Sequence, residues 1–96
     1  MTTGFQFNVD CSLKGRTIAI TGGAGGIGLS TARAFLQSNA RVLLLDVAPQ
    51  RLALAREQLG IDGVTYHRSA LEGPEACAIA LRQAGTPVFA LVHLAG

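Results

Sequence analysis

Ninety-six residues allow one domain at most, and a chain that is 49% hydrophobic and 15% charged has apolar material for a core and is not disordered by composition. The net charge of +2 comes from eight Lys+Arg against six Asp+Glu, and the basic residues form no stripe or cluster, which argues against nucleic acid or a membrane surface as partner. No apolar run approaches the ~18 residues of a membrane span, Met1–Asp10 lacks the pattern of a secretory signal, and Cys11 and Cys77 lie far apart without metal-binding spacing. Reduced thiols, no bound metal and a cytoplasmic setting are therefore expected.

Residues 1–14 are polar and irregular and read as a leader; residues 15–96 read as the folded domain. Arg16–Ile20 is short and β-rich. The stretch Thr21–Gly28, TGGAGGIG, then holds five glycines in eight residues. Gly28–Ala40 reads as a helix, with Ile27, Thr31, Ala34 and Phe35 spaced to share one face. Arg41–Asp46 carries four consecutive apolar residues closed by an acid, the pattern of a strand buried on both faces of a parallel sheet. Pro49–Gly60 and Gly73–Gly85 read as helices with proline near the start and glycine at the stop. Gly63–Ser69 and Val88–Val92 complete the strands. The order β-α-β-α-β-α-β with short links predicts an α/β fold: a partial Rossmann fold whose parallel sheet has strand order 3-2-1-4 and helices on both faces.

Glycine weakens regular structure through the freedom it gives the unfolded chain, so five of them between a strand and a helix need a reason. A dinucleotide fingerprint supplies one. Gly22 allows the tight turn out of the strand, Gly26 lets the backbone approach a pyrophosphate, and Gly28 lets the helix pack on the sheet. The helix start offers unpaired N–H groups and a partial positive charge to the phosphates. Asp46 ends the second strand 18 residues after Gly28, where a carboxylate accepts from the adenosine ribose hydroxyls. A 2′-phosphate would meet like charge there, so NAD is expected over NADP. Arg51 is near, inside the next helix, and no Lys or Arg lies in the glycine turn.

These residues resemble the short-chain dehydrogenase/reductase family. Thr21-Gly22-x-x-x-Gly26-Ile27-Gly28 matches its TGxxxGxG cofactor motif, and the likeness runs from about Leu13 to Gly96. The same stretch also fits the TGxxGxxG pattern of the family's longer, epimerase-like branch through Gly25. The ending His93-Leu94-Ala95-Gly96 leans that way too, whereas the glycine at position 26 and the unbroken helix after Asp46 favour the shorter branch. The resemblance implies a nicotinamide dinucleotide held by Gly22, Ala24, Gly25, Gly26, Ile27 and Gly28 on the turn and by Asp46 and Val47 at the second strand. Ala70 and Leu71 would lie after the third strand, and Leu94, Ala95 and Gly96 after the fourth. Two positions depart from the family pattern. His93-Leu94 stands where the family has paired asparagines that brace the strand, and Ala70-Leu71 stands where it places an Asp and an apolar residue against adenine. Both changes imply weaker or differently oriented cofactor binding.

In the family the chemistry belongs to Ser, Tyr and Lys supplied after the fourth strand, with hydride carried by the nicotinamide. These 96 residues hold no Tyr-x-x-x-Lys; the only tyrosine is Tyr66 and the only lysine Lys14. No catalytic residue is therefore predicted, His93 included, and the chain alone is expected to bind cofactor without turnover. The apolar run Val88–Val92 is expected to form an exposed edge, a template for homo-oligomerisation or other association. The alternative to an oxidoreductase's cofactor-binding half is a non-catalytic nucleotide-binding or dimerising fragment.

Overall fold

The computed structural model describes residues 13–22, 24–69 and 73–94. Seven elements alternate: β1 (Thr17–Thr21), α1 (Gly26–Gln37), β2 (Arg41–Asp46), α2 (Pro49–Leu59), β3 (Val64–Arg68), α3 (Gly73–Arg82) and β4 (Val88–His93). The four strands form one parallel sheet in the order β3-β2-β1-β4, as the alternation of elements predicts. The leader expected over residues 1–14 lies outside the described residues as far as residue 12. Leu13 is buried and belongs to the core.

Strand β2 shows why its sequence does not alternate. Val42, Leu43, Leu44, Leu45 and Asp46 are all buried, because successive side chains point to opposite faces and both faces are covered. Val42 and Leu44 join Ile18 and Ile20 of β1 on the face packed by Ala32 and Phe35 of α1 and by Leu52 and Ala55 of α2. Leu43 and Leu45 join Ala19 on the opposite face, under Ala80 of α3. Helices thus lie on both faces. Strand β4 is the sheet edge beside β1, and its burial is partial: Phe89 is 51% and Leu91 54% exposed. Arg16 places its guanidinium 4.3 Å from the centroid of the Phe89 ring, a cation–π contact that covers part of that ring.

Helix α1 corrects one expectation. The period is helical, but the buried stripe is Gly28, Ala32 and Phe35, not Ile27, Thr31, Ala34 and Phe35. Ile27 is 74% exposed. The buried position is Gly28, one residue on from Ile27, so the isoleucine falls off the buried stripe. Helix α2 begins with Pro49 in its first turn and stops at Gly60, which has φ +78°, following the proline-start, glycine-stop logic.

Tyr66, half-buried on β3, donates its hydroxyl to the Gly60 carbonyl at 2.6 Å. Burial pushes its pKa above the ordinary 10.0, with the Arg56 guanidinium pulling the other way. The folded state therefore favours the neutral phenol. Its stabilising effect is complete below pH 10.0 and fades as pH rises through the higher folded value, as linkage requires. Tyr66→Phe is expected to cost about 1 kcal/mol near neutral pH and to flatten the loss of stability in strong base. Tyrosinate absorbance of the folded protein reads this directly, since the chain has one tyrosine; a midpoint at or below 10.0 would contradict the assignment.

Candidate functional site

The carboxyl ends of β1, β2 and β4 open onto a cleft of about 600 Å³ lined by Gly22, Gly25, Gly26, Ile27, Gly28, Asp46, Arg51, His93 and Leu94. This is where open parallel sheets bind ligands, at the point where the strand order reverses direction. Here the reversal falls between β1 and β4.

The glycines in the turn have different physical reasons. Gly22 has φ +66°, and a Cβ on it would stand 2.5 Å from the Leu94 carbonyl oxygen. The Leu94 N–H in turn donates to the Thr21 carbonyl at 3.0 Å. Gly22 is thus required by the protein's own packing, where the turn passes under the end of β4. Gly26 is the opposite case: its φ is not positive, and a Cβ there would meet nothing within 4 Å. Among the described residues nothing forbids a side chain at that point, and Gly26 lines the cleft.

Helix α1 starts at this turn without a side-chain cap. Gly25 is its N-cap, no acid stands in its first turn, and the Leu29 N–H makes the bond to the Gly25 carbonyl at 2.9 Å. The amides before Leu29, those of Gly26, Ile27 and Gly28, lie in the first turn, where N–H groups lack intrahelical acceptors. Gly28 is buried while Gly26 and Ile27 are exposed, and all three line the cleft.

Asp46 is buried and tied from three directions. Its Oδ2 accepts from the Ala24 N–H at 3.3 Å, and its Oδ1 accepts from the Ala48 N–H at 3.0 Å and from Arg51 Nη2 at 3.1 Å. The carboxylate thus fastens the glycine turn to the start of α2. The Arg51 side chain is 54% exposed and that of Asp46 2%, so the pair has a buried anion and a cation reaching the cleft. Arg68, opposite Asp46 in the β2–β3 register, donates Nε to the Val47 carbonyl at 3.0 Å.

At the other wall His93 stands beside Thr21 in the β1–β4 register. Its Nδ1 lies 2.6 Å from Thr21 Oγ1. This bond links the ends of the two strands at the position where the family's bracing amides are missing, so the departure in sequence does not leave the strand end untied.

Of the residues singled out in the sequence, Gly22, Gly25, Gly26, Ile27, Gly28, Asp46 and Leu94 meet at one cleft. Ala24 is buried and meets the carboxylate through its N–H. Val47 is half-exposed beyond Asp46. Ala70, Leu71, Ala95 and Gly96 lie outside the described residues. The sequence reading missed Arg51 and His93 as cleft walls. A usable signal existed for Arg51: Pro49 sets the first turn of α2, and an arginine two residues later can point back to an acid just before the turn. Among the described residues, no group of three His, Cys, Asp or Glu is placed to hold a metal ion, and no helix is long and apolar enough to cross a membrane.

Comparison with known proteins agrees with this geometry. The family model described as short chain dehydrogenase matches residues 16–96. Galactitol 2-dehydrogenase (L-tagatose-forming) of Cereibacter sphaeroides is 37% identical over 86 residues, covering 88% of this chain and 34% of that protein. The structure of a short chain dehydrogenase from Mycobacterium smegmatis superposes with a TM-score of 0.73 at 34% identity, over 88% of this chain and 38% of that one. That of 3-ketoacyl-(acyl-carrier-protein) reductase from Brucella melitensis, complexed with NADH, gives 0.67 at 25% identity over 83% and 34%. The chain spans about a third or less of the curated relatives it matches, from 14% to 34% of their length. With a parallel sheet in the order 3-2-1-4, a glycine turn at its switch point and a family match over residues 16–96, this chain belongs to the short-chain dehydrogenase family.

Proposed function

We propose that the cleft binds a nicotinamide dinucleotide, NAD in preference to NADP, and that the chain supplies the cofactor-holding part of an oxidoreductase that interconverts an alcohol and a carbonyl. The observation that carries this reading is Gly26, where an added Cβ would meet none of the described residues within 4 Å, at the start of a helix without a side-chain cap. A backbone kept bare toward open space fits a ligand brought against it, and the first-turn amides suit an anion.

The chain's own residues then have distinct tasks. The N–H groups of Gly26, Ile27 and Gly28 face the twin phosphates. Asp46 accepts from the ribose hydroxyls and holds the turn in shape through Ala24. Ile27 and Leu94 supply apolar walls that limit water. Val47, Ala70 and Leu71 belong to the adenosine side, and Ala95 and Gly96 to the nicotinamide side. When bound, the nicotinamide supplies hydride transfer; these residues bind and orient it. No Ser-Tyr-Lys set stands in these residues to move the substrate's proton, so binding without turnover is proposed for the chain alone.

Calorimetric titration with NAD and NADP tests the proposal. Tighter binding of NAD is expected; a preference for NADP would contradict the role given to Asp46, and binding of neither would overturn the reading. The partly exposed edge strand β4, with Phe89 and Leu91, favours a second property, self-association. Sedimentation velocity should show a concentration-dependent rise in mass that Leu91→Lys abolishes, and an unchanged monomer for the parent chain would remove that property.

A further inference from the structure

We propose that His93 is a ligand-holding residue of the cleft: its Nδ1 is tied to the sheet, and its Nε2–H donates to the dinucleotide's second phosphate, the one farther from adenosine. This rests on the dinucleotide reading above and adds a side-chain donor to a phosphate seat otherwise made of backbone. His93 ends β4, is exposed, and lines the cleft together with Gly22, the first turn of α1 and Leu94. Among the described residues its hydrogen bond is to Thr21 alone, through Nδ1, which leaves Nε2 without a protein partner.

The tautomer follows from the Thr21 hydroxyl, which has one proton to give. Two acceptors compete for it: His93 Nδ1 at 2.6 Å and the Val92 carbonyl at 3.4 Å. A hydroxyl donates best over about 2.5–3.0 Å, so the proton goes to Nδ1. The ring's own proton then sits on Nε2 and makes that atom a donor. A donor suits a phosphate oxygen, and the bond is charge-assisted. Thr21 is itself buried, 4% exposed, and paired with His93 in the β1–β4 register, so the ring is braced from behind. A tie between strands needs only Nδ1. The placement of the strands selects the phosphate. In the order β2-β1-β4, Asp46 and His93 end the strands on either side of the glycine turn. With the adenosine ribose at Asp46, the ligand crosses the turn toward β4, and the second phosphate comes to the His93 side.

The experiment titrates the parent chain, H93N and H93Q with NAD, ADP and AMP, reading glycine-turn amide shifts, with circular dichroism melts for stability. Asparagine puts an amide where Nδ1 stands and nothing at Nε2; glutamine carries its amide out to the Nε2 position. AMP bears only the first phosphate and ADP bears both. H93N should melt close to the parent yet bind NAD and ADP about tenfold more weakly, the size of one charge-assisted hydrogen bond. AMP should be unchanged, and H93Q should recover part of the loss. In the parent with labelled histidines, NAD and ADP should move the Nε2 signal of His93 while AMP leaves it in place; His67, the other histidine, serves as control. H93N that binds NAD as the parent does, or that loses AMP equally, would overturn the role of His93 and leave the dinucleotide reading intact. If H93N does not fold, the Nε2 signal decides, and its failure to respond at saturating NAD overturns the proposal. A parent chain that binds none of the three nucleotides overturns both.

Discussion

Gly22→Ala is expected to destabilise the protein by about 3 kcal/mol or more, against the roughly 5–15 kcal/mol that holds a typical domain together. Two effects add. The left-handed backbone at φ +66° costs a non-glycine residue about 1–2 kcal/mol. The new methyl would also stand 2.5 Å from the Leu94 carbonyl oxygen, which has little room to retreat: the N–H of the same residue is tied to the Thr21 carbonyl. Relief therefore requires β1 and β4 to part at the cleft. Urea denaturation should show a large fall in midpoint, and a midpoint equal to the parent's would mean that the turn is not packed as described. Gly26→Ala is the informative partner. Its methyl meets none of the described residues within 4 Å, so the midpoint should barely move, while dinucleotide affinity is expected to fall because the methyl enters the space proposed for the ligand.

Asp46→Ala carries the second large effect. The substitution strips acceptors from the Ala24 and Ala48 N–H groups and leaves Arg51 without its carboxylate. Losing hydrogen bonds to a charged group and leaving buried donors unmet costs about 2–4 kcal/mol; the exposed Arg51 end adds little because water screens it. Binding suffers twice. The turn loses the tie that shapes it, which should weaken both dinucleotides, and the proposed ribose acceptor disappears, which should weaken NAD further. The expected outcome is a loss for both with a larger loss for NAD. Asp46→Asn keeps one acceptor oxygen, so it should recover part of the stability. An Asp46→Ala protein as stable as the parent would show that the carboxylate does not hold the turn, and an equal loss for NAD and NADP would count against the ribose contact.

Much of the fold was legible because local and long-range signals agree. The unbroken run Val42–Leu45 announces burial on both faces, and the structure gives both faces a helix layer. Pro49 and Gly60 bracket α2 through φ preferences that act within single residues. What failed depends on contacts between distant segments. In α1 the helical period agrees and the phase differs, because the buried stripe begins at Gly28, which has no apolar side chain to count. Gly22 was understood as a tight turn; its second reason, the Leu94 carbonyl, comes from a strand more than seventy residues away. The acid at position 46 is expected from the sequence to contact a ribose, whereas its tie to Ala24 joins two loops that the sequence keeps apart. His93 read as a departure from a pattern, and its link to Thr21 follows only from the β1–β4 register.

The bare backbone between β1 and α1 is the proposed seat of the ligand's phosphates. Amide chemical shifts of isotope-labelled protein, followed as NAD is raised to saturation, test it most directly. The largest shifts are expected on Gly26, Ile27 and Gly28, with Asp46 and its neighbours following. A folded sample whose glycine-turn amides stay unmoved at saturating NAD and NADP would contradict it.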